Sequence, residues 1–96
     1  MAFLLYEQAV ANNTVKTVAD LNRPANATGA RIQASPHDVH YTMDGTTDPS
    51  ITSGMVLQDG LPPEEFLIED MIKIRFVQGL AGTCELNVHW FAGRDV

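Results

Sequence analysis

The feature that most constrains this chain is an alternation near its C-terminus. Cys84, Leu86, Val88 and Trp90 share one parity, and Glu85, Asn87 and His89 share the other. Successive side chains of an extended backbone point to opposite faces, so a period of two over this length marks a half-buried β-strand. The preceding segment repeats the pattern, with Ile72, Ile74 and Phe76 set against Lys73 and Arg75. Between the two lies Gln78-Gly79-Leu80-Ala81-Gly82-Thr83, a two-glycine loop, and the whole reads as a β-hairpin.

The same parity runs upstream. Ala30, Ile32 and Ala34 alternate with Arg31 and Gln33, and Ser35-Pro36-His37-Asp38 then turns the chain. Val39, Tyr41 and Met43 alternate with His40 and Thr42, and Asp44-Gly45 closes that strand. Met55-Val56-Leu57 forms a short strand ending at Asp59-Gly60. Pro62-Pro63 is a rigid break, and Phe66-Leu67-Ile68 is another short strand. Residues 3–10 and 14–18 pair across Ala11-Asn12-Asn13 in this reading. Residues 1–10 serve equally well as a first strand or as an N-terminal arm, and Glu7-Gln8-Ala9 also tolerate a helix. The expectation is an all-β fold: one domain over residues 1–96, a β-sandwich or jelly-roll-like small barrel of about 7–8 short antiparallel strands.

Charge narrows the partners. Six basic residues against twelve acidic ones give a net charge of −6. The cations (Lys16, Arg23, Arg31, Lys73, Arg75, Arg94) are scattered, whereas phosphate contacts need them clustered, so nucleic acid is not the expected partner. Neither is a membrane: the apolar stretches are far shorter than the roughly 20 residues of a spanning helix, and the first residues lack the basic start of a signal peptide. Cys84 is the only cysteine, so no internal disulfide supports the core, and a reducing compartment is expected. A small domain without such a staple commonly gains stability by oligomerising or docking.

The residues that carry chemistry do not converge in the sequence. His37 and His40 have a metal-like spacing, but on a strand they point to opposite faces and no further ligand lies nearby. Cys84 falls on the apolar face of its strand, where it packs as a small hydrophobe. Glu64-Glu65 and Glu69-Asp70 bracket Phe66-Leu67-Ile68 as solvated charges around a sticky strand. There is no nucleophile elbow, P-loop or dinucleotide fingerprint. No enzyme, catalytic residue, cofactor or metal is expected.

Two resemblances follow from particular residues. Tyr41-Thr42-Met43-Asp44-Gly45-Thr46-Thr47-Asp48-Pro49 resembles the "Y-T-x-D-G-T-x-P" strand and turn of chitobiase-type Ig-like modules, with Asp48 inserted before Pro49. That motif has a structural logic: Tyr41 anchors the core while Asp44-Gly45 makes the turn. The second resemblance runs from about residue 30 to the C-terminus. Ala30-Arg31-Ile32-Gln33-Ala34, Tyr41 to Thr46, Gly54-Met55-Val56-Leu57, residues 72–77 and residues 82–91 match, in order and spacing, the outline of small acidic tailed-phage virion proteins of the capsid cement or decoration type. Pro62-Pro63 and Cys84 depart from that outline.

This second resemblance implies a bacteriophage virion structural protein, synthesised in the host cytoplasm and resident on the capsid surface. Its implied partners are the major capsid protein and copies of itself, as a homotrimer that stabilises the shell. Binding only the assembled state stabilises it by mass action. Phe3, Leu4, Leu5 and Tyr6 would then form partner contacts, with Arg31 and Arg75, cations on strands, as probes of intersubunit pairing. A head–tail connector or tail- or fibre-associated role is the alternative within that class. A carbohydrate-binding or adhesion module is the alternative outside it.

Overall fold

The alternating segments become strands in the computed structural model, which describes residues 2–93. Met1, which begins the N-terminal run, and Arg94, one of the six cations, lie outside the described residues, as do residues 95–96. The strands are β1 (Ala2–Ala11), β2 (Lys16–Thr17), β3 (Gly29–Ser35), β4 (Val39–Thr42), β5 (Met55–Leu57), β6 (Glu64–Leu67), β7 (Arg75–Gln78) and β8 (Cys84–Ala92). A 3₁₀ turn at Val18–Asp20 and one helical turn, α1 (Ile68–Met71), complete the regular elements.

The strands form two four-stranded sheets, ordered β1-β8-β3-β6 and β2-β7-β4-β5, and every pairing is antiparallel. In chain order the path changes sheet at every connection except β4 to β5. This interleaving of eight strands in two open sheets is the connectivity of a jelly roll. The barrel does not close: each sheet ends in two edge strands.

Burial follows the parity of the sequence. Ala30, Ile32 and Ala34 of β3 meet Leu86, Val88 and Trp90 of β8 in the core, facing Val39, Tyr41 and Phe76 of the other sheet. Trp90 and Phe76 are fully enclosed and are the largest side chains to be so. Met71 and Ile74, from α1 and the turn after it, close one side of this core.

Three local expectations are corrected. β7 and β8 are not a hairpin: β7 pairs with β2 and β4, and β8 pairs with β1 and β3. Alternation states which face a residue occupies but not which strand lies beside it, and residues 79–83 carry the chain across the sandwich. Gly79 is needed there for close approach, since a Cβ would lie 2.9 Å from the Asp38 carbonyl oxygen, which accepts the Gly79 N–H at 3.0 Å. Residues 3–10 and 14–18 do not pair either. β1 runs along β8, whereas β2 is two residues long and joins β7. Finally, Phe66-Leu67-Ile68 is not one strand. Glu64 and Glu65 begin β6, while Ile68 opens α1 with its N–H on the Thr28 carbonyl at 2.9 Å. Ile72 accordingly stands outside the strand and is exposed.

Of the readings for the N-terminal run, the helix is corrected: residues 2–11 are extended throughout. Residues Ala2 to Ala11 pair with β8 along its length, with one bulge at Leu4 between Phe3 and Leu5.

Candidate interaction site

The register of the β1-β8-β3-β6 sheet assembles its outer face. Tyr6 lies opposite His89, Gln8 opposite Asn87, Arg31 opposite His89, Gln33 opposite Asn87, and Glu65 opposite Arg31. These are the off-core positions of the alternating pattern, so side chains distant in sequence form one contiguous surface. The Leu4 bulge shifts the parity, so Phe3, opposite Phe91, joins the same face.

The rings are close. Phe3 stacks on His89 with centroids 4.0 Å apart and planes 22° from parallel, and Tyr6 stands at 82° to His89 at 6.0 Å. The Arg31 guanidinium lies 5.2 Å from the centre of the Phe3 ring, within cation–π range, and its Nε–H donates to Glu65 Oε1 at 3.2 Å. Asn87 organises the floor. Its Oδ1 accepts from Tyr6 Oη at 2.8 Å and Gln8 Nε2 at 2.9 Å, while its Nδ2 donates to Ser35 Oγ at 3.0 Å. Gln33 is held by Nε2 donating to the Leu61 carbonyl at 3.0 Å. Together Phe3, Tyr6, Arg31, Gln33, Pro63, Asn87 and His89 enclose an open concavity of about 200 Å³.

One end of the face is filled. Phe91 is buried, with its ring lying over Gly29 and meeting Phe3 edge-on at 6.3 Å. A Cβ on Gly29 would fall 2.4 Å from that ring and 2.6 Å from the Phe66 carbonyl, so glycine is the residue that lets Phe91 lie flat.

The edge of β1 beside this face is free on the side away from β8. It presents Leu4 and Leu5, each about 37% exposed, and Val10. Glu7, its only charge, is turned away: the carboxylate accepts from Trp90 Nε1 at 2.7 Å and from the Asn22 backbone N–H at 2.9 Å. The other edges differ. β2 and β5 are two and three residues long, and β6 carries exposed Glu64 and Glu65 directly after Pro62-Pro63. Short strands, exposed charges and prolines protect a sheet edge from pairing; β1 has neither an exposed charge nor a proline, and its own departures from a flat edge are the Leu4 bulge and the inward-turned Glu7.

The six candidate partner residues therefore separate. Phe3, Tyr6 and Arg31 converge on the concavity, and Leu4 and Leu5 line the free edge. Arg75 sits in the opposite sheet, where Nη1 bonds Asp48 Oδ1 at 2.5 Å and Nη2 donates to the Gly45 carbonyl at 2.8 Å. It clamps the loop after β4. In that loop Asp44 Oδ1 accepts the Thr46 and Thr47 N–H groups at 3.0 and 2.8 Å, and Oδ2 takes the Thr47 hydroxyl. These bonds hold the Asp44 carboxyl well below the usual carboxylate range, the Thr47 hydroxyl contributing most.

Three titratable side chains elsewhere are set by their surroundings. His40 Nδ1 is 2.9 Å from the Ser50 carbonyl, fixing a loop. Burial, then the charges of Asp38, Asp59 and Glu85, push the Cys84 thiol up, which keeps it protonated and unreactive. Burial, then the Glu64 carboxylate, raise the Tyr41 hydroxyl.

Gln33, Pro63, Asn87 and His89 were not candidates on sequence grounds. The off-core parity of β3 and β8 was the available signal, but it marks a solvated face equally well until β1 is known to lie beside β8. No family model, curated protein or solved structure matches this chain.

Proposed function

We propose that this chain is a structural protein of a tailed-phage virion, a capsid cement or decoration protein that docks through the free edge of β1 and stabilises the assembled shell. The observation that carries the reading is the contrast among edges: the other edge strands are short or carry exposed charge, whereas the longest carries no exposed charge and keeps its outer side unpaired. A ten-residue edge strand bearing Leu4 and Leu5 is a template for an added strand, in which backbone hydrogen bonds supply affinity and flanking side chains supply register. The major capsid protein is the partner in this reading. Two further points support it. The order of sequence blocks resembles that of phage decoration proteins, and jelly rolls recur among capsid domains, an analogy at the level of fold.

Copy number in purified virions tests this. Hundreds of copies in simple proportion to the major capsid protein support a cement role. A dozen or fewer move the chain to the connector or tail, and absence from particles overturns the virion reading. Removing residues 2–6 from the free edge is expected to abolish shell binding while the remaining strands stay folded. Unimpaired binding by a folded truncation overturns docking at β1.

A further inference from the structure

The outer-face concavity has features that edge docking does not use. Docking engages the backbone edge of β1, whereas Phe3 and Tyr6 project onto the face of the sheet. We infer that the hollow formed by Phe3, Tyr6, Arg31, Gln33, Pro63, Asn87 and His89 is a carbohydrate site that takes one neutral pyranose unit of a glycan.

A pyranose has an apolar C–H face and a rim of hydroxyls that each donate and accept. A site for it needs exposed ring faces beside fixed planar polar groups. Tyr6, 54% exposed, supplies the ring face; Phe3 is stacked on His89 with the Arg31 guanidinium over it, and the perpendicular setting of Tyr6 against that pair makes a corner rather than a flat patch. The polar groups are held by bonds that leave capacity outward. Arg31 spends Nε on Glu65, so its terminal nitrogens remain donors. Gln33 spends one amide hydrogen on Leu61, so Oε1 remains an acceptor. Tyr6 donates its proton to Asn87, so its oxygen still accepts. His89 makes no side-chain hydrogen bond among the described residues and adds a ring nitrogen.

Size and charge select within ligand classes. At about 200 Å³ the hollow is below the roughly 300 Å³ at which pockets for drug-sized molecules begin, and suits a single hexose. Arg31 is already paired with Glu65 on a chain of net charge −6, which disfavours phosphates and nucleic acid. A neutral sugar meets no such penalty. A hexose of about 12 heavy atoms at ordinary ligand efficiency binds with a Kd of about 1–5 mM, and avidity from many copies on one particle would raise the apparent affinity.

The test is a titration of the ¹⁵N-labelled full chain with the methyl glycosides of glucose, galactose and N-acetylglucosamine. At least one is expected to give saturable shifts concentrated at Tyr6, Arg31, Gln33, Asn87 and His89. Tyr6→Ala and Gln33→Leu are each expected to weaken that binding about tenfold, the loss of one ring or amide contact. Gln33→Leu decides if Tyr6→Ala disturbs β1, because Gln33 lies on a central strand with its side chain outward. No saturable shift with any of the three glycosides overturns the site. So does binding that Gln33→Leu leaves unchanged, or a proline-rich peptide moving these resonances when the glycosides do not.

Discussion

The two sheets share a core yet treat their outer faces differently. The β1-β8-β3-β6 sheet has strands of up to ten residues, and its outer face is an open array of rings and amides around Asn87. The β2-β7-β4-β5 sheet has strands of two to four residues, and loops are folded back onto it. Arg75 shows this best, since Asp48 and the Gly45 and Thr46 carbonyls surround its guanidinium. Arg31 occupies a comparable strand position in the other sheet but remains over a surface ring with one carboxylate partner. One sheet thus spends its arginine on bracing a loop, and the other leaves its arginine on an open face.

The interior is where the sheets are expected to be equal. Trp90→Ala and Phe76→Ala each remove a fully buried aromatic, one per sheet, and each is expected to cost about 3–5 kcal/mol. For a domain whose total stability is of order 5–15 kcal/mol, both variants approach unfolding. Urea denaturation monitored by circular dichroism measures this. If only one variant is strongly destabilised, the difference between the sheets extends into the core and is not a matter of outer faces alone.

Arg75→Ala comes next, at about 1–2 kcal/mol, because it leaves the Gly45 carbonyl without its partner and frees the loop over residues 44–48. Arg75→Lys should recover little, since a single ammonium cannot reach the acceptors that the guanidinium fork spans. Equilibrium unfolding of the three proteins side by side checks both statements.

Acidity probes the same loop through Asp44. Its folded-state carboxyl titrates below its unfolded value, so its stabilisation is fully present above about pH 4 and is lost as the pH falls from there. Asp44→Asn cannot carry that charge. Its deficit against the parent protein is therefore expected near neutrality and should shrink as pH drops below about 4. Melting temperatures measured from pH 7 down to about pH 2.5 give the comparison, and a deficit independent of pH would assign the loop's stability to something other than the carboxylate.

How far the sequence reaches can be judged on these residues. The parity of β3, β4 and β8 sorts Ile32, Tyr41 and Trp90 into the core because burial on one face is a local property of an extended chain. Pairing is not local. Residues 72–76 and 84–90 read as neighbours because a glycine loop joins them, yet the jelly-roll path places a sheet boundary there. The concavity was less legible still. It draws on β1, β3, β8 and Pro63, which meet only through that topology, and Phe3 enters it through a bulge that pattern cannot reveal. Arg75 reads in the sequence as a probe of intersubunit pairing because its acceptors are mostly backbone carbonyls about thirty residues earlier, and carbonyls leave no mark in a sequence.

The smallest effect sharpens the contrast most. Arg31→Ala removes an ion pair whose two side chains are both more than 40% exposed, together with a surface cation–π contact. Solvent screens such a pair, and ordering two long side chains offsets most of the remaining attraction. The expected change is about 0.5 kcal/mol or less, well under that for Arg75→Ala although the same side chain is removed. A second measurement separates screening from accident. Raising salt from 0.05 to 1 M should erase the small Arg31 effect, because exposed charges are screened within roughly 3 Å at 1 M. The Arg75 deficit should persist in part, since the part-buried bond to the Gly45 carbonyl at 2.8 Å is screened far less than its pairing with the exposed Asp48. Equal costs and equal salt sensitivity would mean that both guanidiniums are braces, and that the outer face of the β1-β8-β3-β6 sheet is no more open to a ligand than its counterpart.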